Sequence, residues 1–92
     1  MKQVNETART YSFPSRIAKV GEDLVLTTRD YFVILTKNEV EDIKEKVIKQ
    51  NKTIMLHKDS LIAFMKDDMV IFEYKRKEDF QRVLMVKPNS FI

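Results

Sequence analysis

The sequence predicts an α+β fold, in which a mainly antiparallel sheet of five to seven short strands carries one amphipathic helix, at about residues 37–50, on one face. Three observations predict it. One segment repeats its apolar residues at helical spacing, the other apolar segments are short and strand-like, and the connections between segments are short. Short connections favour antiparallel pairing, because parallel neighbours need a crossover of a dozen or more residues.

Three strands are predicted before the helix. The apolar runs 24–27 and 31–35 are separated by Thr28-Arg29-Asp30, a polar segment that can turn between them. Val20-Gly21-Glu22-Asp23 offers an earlier turn, because Gly and Asp tolerate the backbone angles that turns require. That turn leaves residues 16–20 as the first strand.

The helix has recognisable start and stop signals. Thr36 and Glu39 have the spacing of a capping box, in which each side chain bonds the other residue's backbone amide. Acidic residues fill its first half and lysines its second half, which complements the helix dipole. Asn51 is a suitable stop, because Asn tolerates the left-handed conformation. The apolar face that should pack on the sheet consists of Val40, Ile43, Val47 and Ile48.

Four further strands are predicted after the helix, at 53–57, 61–65, 69–74 and 80–86. Lys66-Asp67-Asp68 should close a hairpin between the second and third of these. The last segment is ambiguous, because Phe80, Val83 and Leu84 also fit one face of a helix. Its β-branched residues and the following Pro88 favour a strand.

Length and composition fit one domain over residues 1–92, with polar residues 1–9 expected to be loose. The chain has 43% hydrophobic and 34% charged residues, a globular mixture. It has no cysteine, which excludes disulfides and thiolate zinc sites and favours a cytoplasmic protein. The longest apolar run, 31–35, is too short to span a membrane, so no membrane partner is expected.

No constellation for catalysis, metal binding or a cofactor is found, so a non-enzyme with no cofactor and no metal is expected. His57 is the only histidine and is interpreted as a strand-end residue. The single glycine, Gly21, excludes glycine-rich phosphate loops and nucleophile elbows. Asp67 and Asp68 are interpreted as a turn; the alternative is a divalent-cation site with Glu73 as third ligand.

Positive charge is concentrated at the two ends of the chain. Residues 1–20 hold four basic and one acidic side chain, and residues 75–92 hold five and two, whereas residues 21–74 hold eight basic and eleven acidic side chains. Aromatic residues are interleaved with these cations, as in surfaces that track a nucleic-acid backbone and stack on bases. The candidate binding residues are Arg9, Tyr11, Phe13, Arg16, Lys19, Tyr74, Lys75, Arg76, Lys77 and Arg82.

Two classes of function follow. The favoured hypothesis is a small regulatory protein that binds nucleic acid, or another acidic partner, through its basic ends. The alternative is a protein-interaction module, such as a small phage- or mobile-element-type inhibitor or a homo-oligomeric assembly subunit that uses an exposed strand edge. In the simpler interpretation the aromatics belong to the core and the cations are solvated charges on strand edges. An exposed apolar patch would favour a protein partner.

Overall fold

A computed structural model of the chain describes residues 9–29, 31–74 and 81–92, and the α+β class is confirmed. Residues 1–8, Asp30 and residues 75–80 lie outside the described part, together with the predictions made for them. The strands are β1 Arg9–Ser12, β2 Arg16–Val20, β3 Asp23–Thr27, β4 Phe32–Leu35, β5 Ile54–Leu56, β6 Leu61–Lys66, β7 Met69–Tyr74 and β8 Gln81–Val86. The helix, α1, is α-helical over Lys37–Asp42 and π-helical over Ile43–Lys49. A 3₁₀ turn, Pro88–Phe91, follows β8.

The strands form two sheets rather than the single sheet that the sequence predicted. One is a three-stranded antiparallel sheet in the order β2-β3-β4. The other has the order β1-β8-β7-β6-β5, in which β5 to β8 are antiparallel and β1 pairs in parallel with β8. The division falls at α1, which carries the chain from β4 to β5 and packs against both sheets.

Two elements were not predicted. The 3₁₀ turn is too short to show a periodicity of its own. Strand β1 begins with Arg9, and its four residues pair with the other end of the chain, from Arg9 opposite Gln81 to Ser12 opposite Leu84. A local pattern cannot reveal such a partner. Residues 81–86 are a strand, β8, which pairs with β1 on one side and with β7 on the other, and this resolves the ambiguity of that segment.

The core lies between the inner faces of the two sheets and α1. The helix contributes Ile43 and Val47, both fully buried, while Val40 and Ile48 are partly buried against the same cluster, as predicted. The 3₁₀ turn adds Phe91, whose ring centroid lies 6.0 Å from that of Phe72. The buried strand residues of this cluster are Leu24, Leu26, Val33, Leu35, Leu56, Leu61, Ala63, Val70, Phe72, Leu84 and Val86.

Both ends of the helix follow the predicted signals. The Thr36 hydroxyl accepts a hydrogen bond from the Glu39 amide at 3.2 Å, and Glu39 Oε1 accepts one from the Thr36 amide at 2.9 Å. These bonds satisfy amides that would otherwise lack partners in the first turn. At the other end, Asn51 has a φ of 57°, the left-handed conformation that stops the helix. No helix of the described part is long and apolar enough to cross a membrane.

Candidate functional site

The structure brings the backbones of the two predicted basic segments together. In the parallel pairing of β1 with β8, Arg9 lies opposite Gln81 and Thr10 lies opposite Arg82. Paired strands are about 4.8 Å apart, so these positions are close neighbours. The side chains of Arg9, Tyr11 and Arg82, and the whole of Lys75, Arg76 and Lys77, lie outside the described part.

Two predicted cations, Arg16 and Lys19, do not share a surface. They are three positions apart on β2, and the side chains of a strand alternate between its two faces. Lys19 lines a pocket of about 220 Å³ between β2 and α1, where Lys37 and Lys44 also lie. Lys44 pairs with Glu41 at 3.6 Å. Lys19 therefore belongs to a mixed-charge pocket beside the helix, and Arg16 to the opposite face.

The two predicted aromatics with described side chains have different surroundings. Phe13 is 60% exposed and lines an apolar pocket of about 180 Å³ with Ile17 of β2 and Met85 of β8. Tyr74 is half-buried against the core and packs edge-on to Tyr31, with ring centroids 6.2 Å apart. Burial raises the pKa of the Tyr74 hydroxyl above its usual value. Phe13 is thus a surface residue, whereas Tyr74 packs against the core.

The candidate cation ligands are held apart. Asp67 and Asp68 have φ angles of 52° and 65° and form the turn between β6 and β7, as predicted. Glu73 lies opposite Ile62, towards the other end of the hairpin, roughly 17 Å from Asp68 at strand rise. Within the described residues, no group of three or more His, Asp or Glu side chains could hold a metal ion. The alternative of a three-carboxylate site is therefore wrong.

His57 closes one strand edge. It follows β5, and its Nε2 lies 2.9 Å from the carbonyl oxygen of Ile34 in β4. A carbonyl oxygen can only accept, so Nε2 carries the hydrogen and donates it. The same nitrogen lies 3.6 Å from Glu39 Oε1. The ring therefore covers part of the outer edge of β4 and links it to the first turn of the helix.

The largest unexpected feature is the solvent-facing side of the three-stranded sheet, named here the outer face. Alternation along β3 and β4 buries Leu24, Leu26, Val33 and Leu35 and turns the intervening side chains outward. Two of the outward side chains of β4 are apolar and exposed, Phe32 at 55% and Ile34 at 45%. Val20, at the end of β2 on the same side of the sheet, is 63% exposed. The outer face consists of Arg16, Ala18, Val20, Asp23, Val25, Thr27, Phe32 and Ile34.

Strand register arranges the outer face in three rows. The residues opposite one another in the first row, the Arg row, are Arg16, Thr27 and Phe32. Those of the middle row are Ala18, Val25 and Ile34. Those of the third row, the Asp row, are Val20 and Asp23. The face therefore has an apolar centre, with a positive charge at one end and a negative charge at the other.

The sequence contains a pattern that indicates this face, but the candidate binding residues were chosen by charge and not by this pattern. A strand with one buried face alternates apolar and polar residues, whereas a strand covered on both faces is continuously apolar. Residues 32–35 and 24–26 are continuously apolar, although the described structure covers only one of their faces. The apolar pattern of these two strands therefore extends to the face that the described residues leave exposed.

Compared with protein-family models, curated proteins and solved structures, the chain has no significant match. A functional proposal for this protein therefore rests on the chemistry of its own surface.

Proposed function

We propose that the protein is a non-catalytic protein-interaction module that contacts its partner through the outer face. The observation that supports it is the exposure of Val20, Phe32 and Ile34 around the apolar middle row. Apolar surface left in water costs about 25 cal/mol per Å², and contiguous exposed apolar patches mark interaction sites. A binding partner that covers this patch recovers that free energy.

The chemistry of the outer face suits a protein partner. Protein interfaces combine an apolar centre with a polar rim, and large aromatic side chains supply much of their binding energy. Phe32 is the aromatic residue on this face, and Arg16 and Asp23 lie towards its two ends. A strand face is also rigid, so little side-chain and backbone freedom is lost on binding.

Site-specific photo-crosslinking tests this function, because it captures whichever protein contacts the labelled position. A photoreactive residue at the outer face, Phe32→p-benzoylphenylalanine, is expected to give a protein adduct of defined mass in intact cells. The matched control places the same residue at Lys49, whose side chain is 72% exposed on the helix. An adduct at position 32 and none at position 49 supports the proposal. Equal adducts at both positions, or none at position 32, contradict it.

Nucleic-acid binding through the basic ends remains a second candidate, favoured by one observation. The parallel pairing of β1 with β8 brings the backbones of Arg9 and Arg82 into neighbouring strands of one sheet. The two basic segments of the chain are thereby adjacent at one edge of this sheet, and a protein that neutralises several phosphates binds nucleic acid in a strongly salt-dependent way.

Fluorescence anisotropy with labelled single- and double-stranded DNA and RNA at low salt tests the second candidate. Binding is expected to weaken as salt rises, and Arg9→Ala, Arg16→Ala, Arg76→Ala and Lys77→Ala should each weaken it. Lys49→Ala is the matched control, because Lys49 pairs with Glu45 at 3.5 Å on the helix. Absence of binding to all four nucleic acids at low salt would exclude this function.

A further inference from the structure

We propose that the partner covering the outer face is a second copy of this chain, bound through a two-fold symmetric interface. This inference rests on the proposed function, and it adds the identity of the partner and the geometry of its docking. In a two-fold interface the same patch is used by both copies, so the patch must complement itself. The outer face meets that requirement in its apolar centre and in its charges.

The edges of the three-stranded sheet are poorly suited to adding a strand, whereas the described residues leave its outer face exposed. On the β4 edge, His57 Nε2 donates a hydrogen bond to the carbonyl oxygen of Ile34 at 2.9 Å, so this oxygen already has a partner. The opposite edge, β2, carries Arg16 and Lys19 and follows Pro14, and charged residues and proline are the usual means of blocking edge pairing. A second copy is therefore expected to stack on the face instead of extending the sheet.

The charges select one of the two simple stacking orientations. A two-fold axis that runs across the strands, above the middle row, stacks that row on its own counterpart and sets the Arg row against the Asp row of the second copy. Arg16 of each copy then faces the end of the sheet that holds Asp23 of the other. An axis that runs along the strands would instead set Asp23 against Asp23, and such like-charge contacts are unfavourable.

The size of the face predicts a weak dimer. Strands of four and five residues at about 3.4 Å per residue, with three strands about 4.8 Å apart, give a footprint of roughly 17 Å by 14 Å. Stable complexes bury about 800 Å² on each partner, which is well above this footprint. The dimer is therefore expected to be weak, with a dissociation constant of about 100 μM or more.

Analytical ultracentrifugation from about 1 μM to about 1 mM tests the dimer. The wild-type chain is expected to shift from monomer to dimer over this range. Ile34→Lys, in the middle row, should raise the dissociation constant at least about tenfold, because it places two ammonium groups against each other. Met55→Lys, on the other sheet, is the control: Met55 is 46% exposed and Ile34 is 45% exposed. If Ile34→Lys disturbs the circular dichroism spectrum, Ile34→Thr replaces it.

A charge exchange tests the orientation. Arg16→Asp and Asp23→Arg are each expected to weaken the dimer about tenfold, and the double variant should restore it to within about threefold of wild type. A dimer that is insensitive to these changes, or a double variant weaker than both single variants, overturns the proposed orientation. A wild-type chain that stays monomeric up to about 1 mM overturns the second copy as partner.

The oligomeric state and the crosslink at position 32 together distinguish a wrong partner from a wrong function. A monomeric chain that still forms a position-32 adduct with a different protein removes the second copy but keeps the interaction module. A monomeric chain with no adduct at position 32 removes both.

Discussion

Replacing Val47 with aspartate is expected to destabilise the domain strongly and to lower its melting temperature. Val47 is fully buried in the part of the helix that packs on β5 and β6, and no polar or charged residue is buried among the side chains that the structure describes. A carboxylate at this position has no partner, and an unpaired buried charge costs several kcal/mol, here about 4 or more. Domains of this size have a total stability of about 5–10 kcal/mol, so a loss of this size removes a large part of it.

Thermal and urea unfolding followed by circular dichroism measures this effect. Glu45→Asp is the matched control, because it places the same residue two positions earlier, where the side chain is 57% exposed. Its expected cost is below about 1 kcal/mol, the difference in helix propensity together with a weakened surface ion pair. A Val47→Asp protein that melts like wild type would contradict the packing of α1 on the core.

Local features could be predicted from the sequence because each depends on residues that are near one another in the chain. The capping box of Thr36 and Glu39, the stop at Asn51 and the turn at Asp67 and Asp68 all have the expected geometry. Each uses a side chain that bonds its own neighbourhood or a residue that tolerates a positive φ.

Pairings between distant segments could not be predicted in the same way. Residues 9–12 contain no aliphatic side chain and so show no apolar strand pattern, and their pairing with β8 is what places them in a strand. The division into two sheets has the same origin, because the apolar patterns of β4 and β5 are the same whether or not these strands pair with each other. Long-range hydrogen bonding, which local propensity does not encode, decided both.

The candidate site was predicted from the distribution of charge, whereas the structure separates several of the predicted residues and exposes apolar residues elsewhere. Arg16 and Lys19 are close in the sequence but lie on opposite faces of β2. Tyr74 was counted as an accessible aromatic, yet it packs against Tyr31 beside the core. Phe32 was considered only as one residue of the apolar run 31–35, because a continuous apolar run gives no indication of which of its residues stays exposed.

Phenylalanine is expected to have opposite energetic roles in the two sheets. Phe72 is 1% exposed on β7, between β6 and β8, and packs against Phe91. Phe72→Ala removes a large buried side chain and leaves a cavity, at an expected cost of about 3–5 kcal/mol. Urea unfolding at low micromolar concentration measures this cost with little contribution from self-association.

Phe32→Ala is the counterpart on the outer face, where the same truncation is expected to cost below about 1 kcal/mol of stability in the monomer. The ring of Phe32 is 55% exposed, so its removal leaves no internal cavity. Its loss should instead appear in partner binding, because a rigid exposed aromatic contributes most when a second surface covers it. A destabilisation as large as that of Phe72→Ala would mean that the fold itself buries Phe32, and the outer face would then no longer be available as an interaction surface.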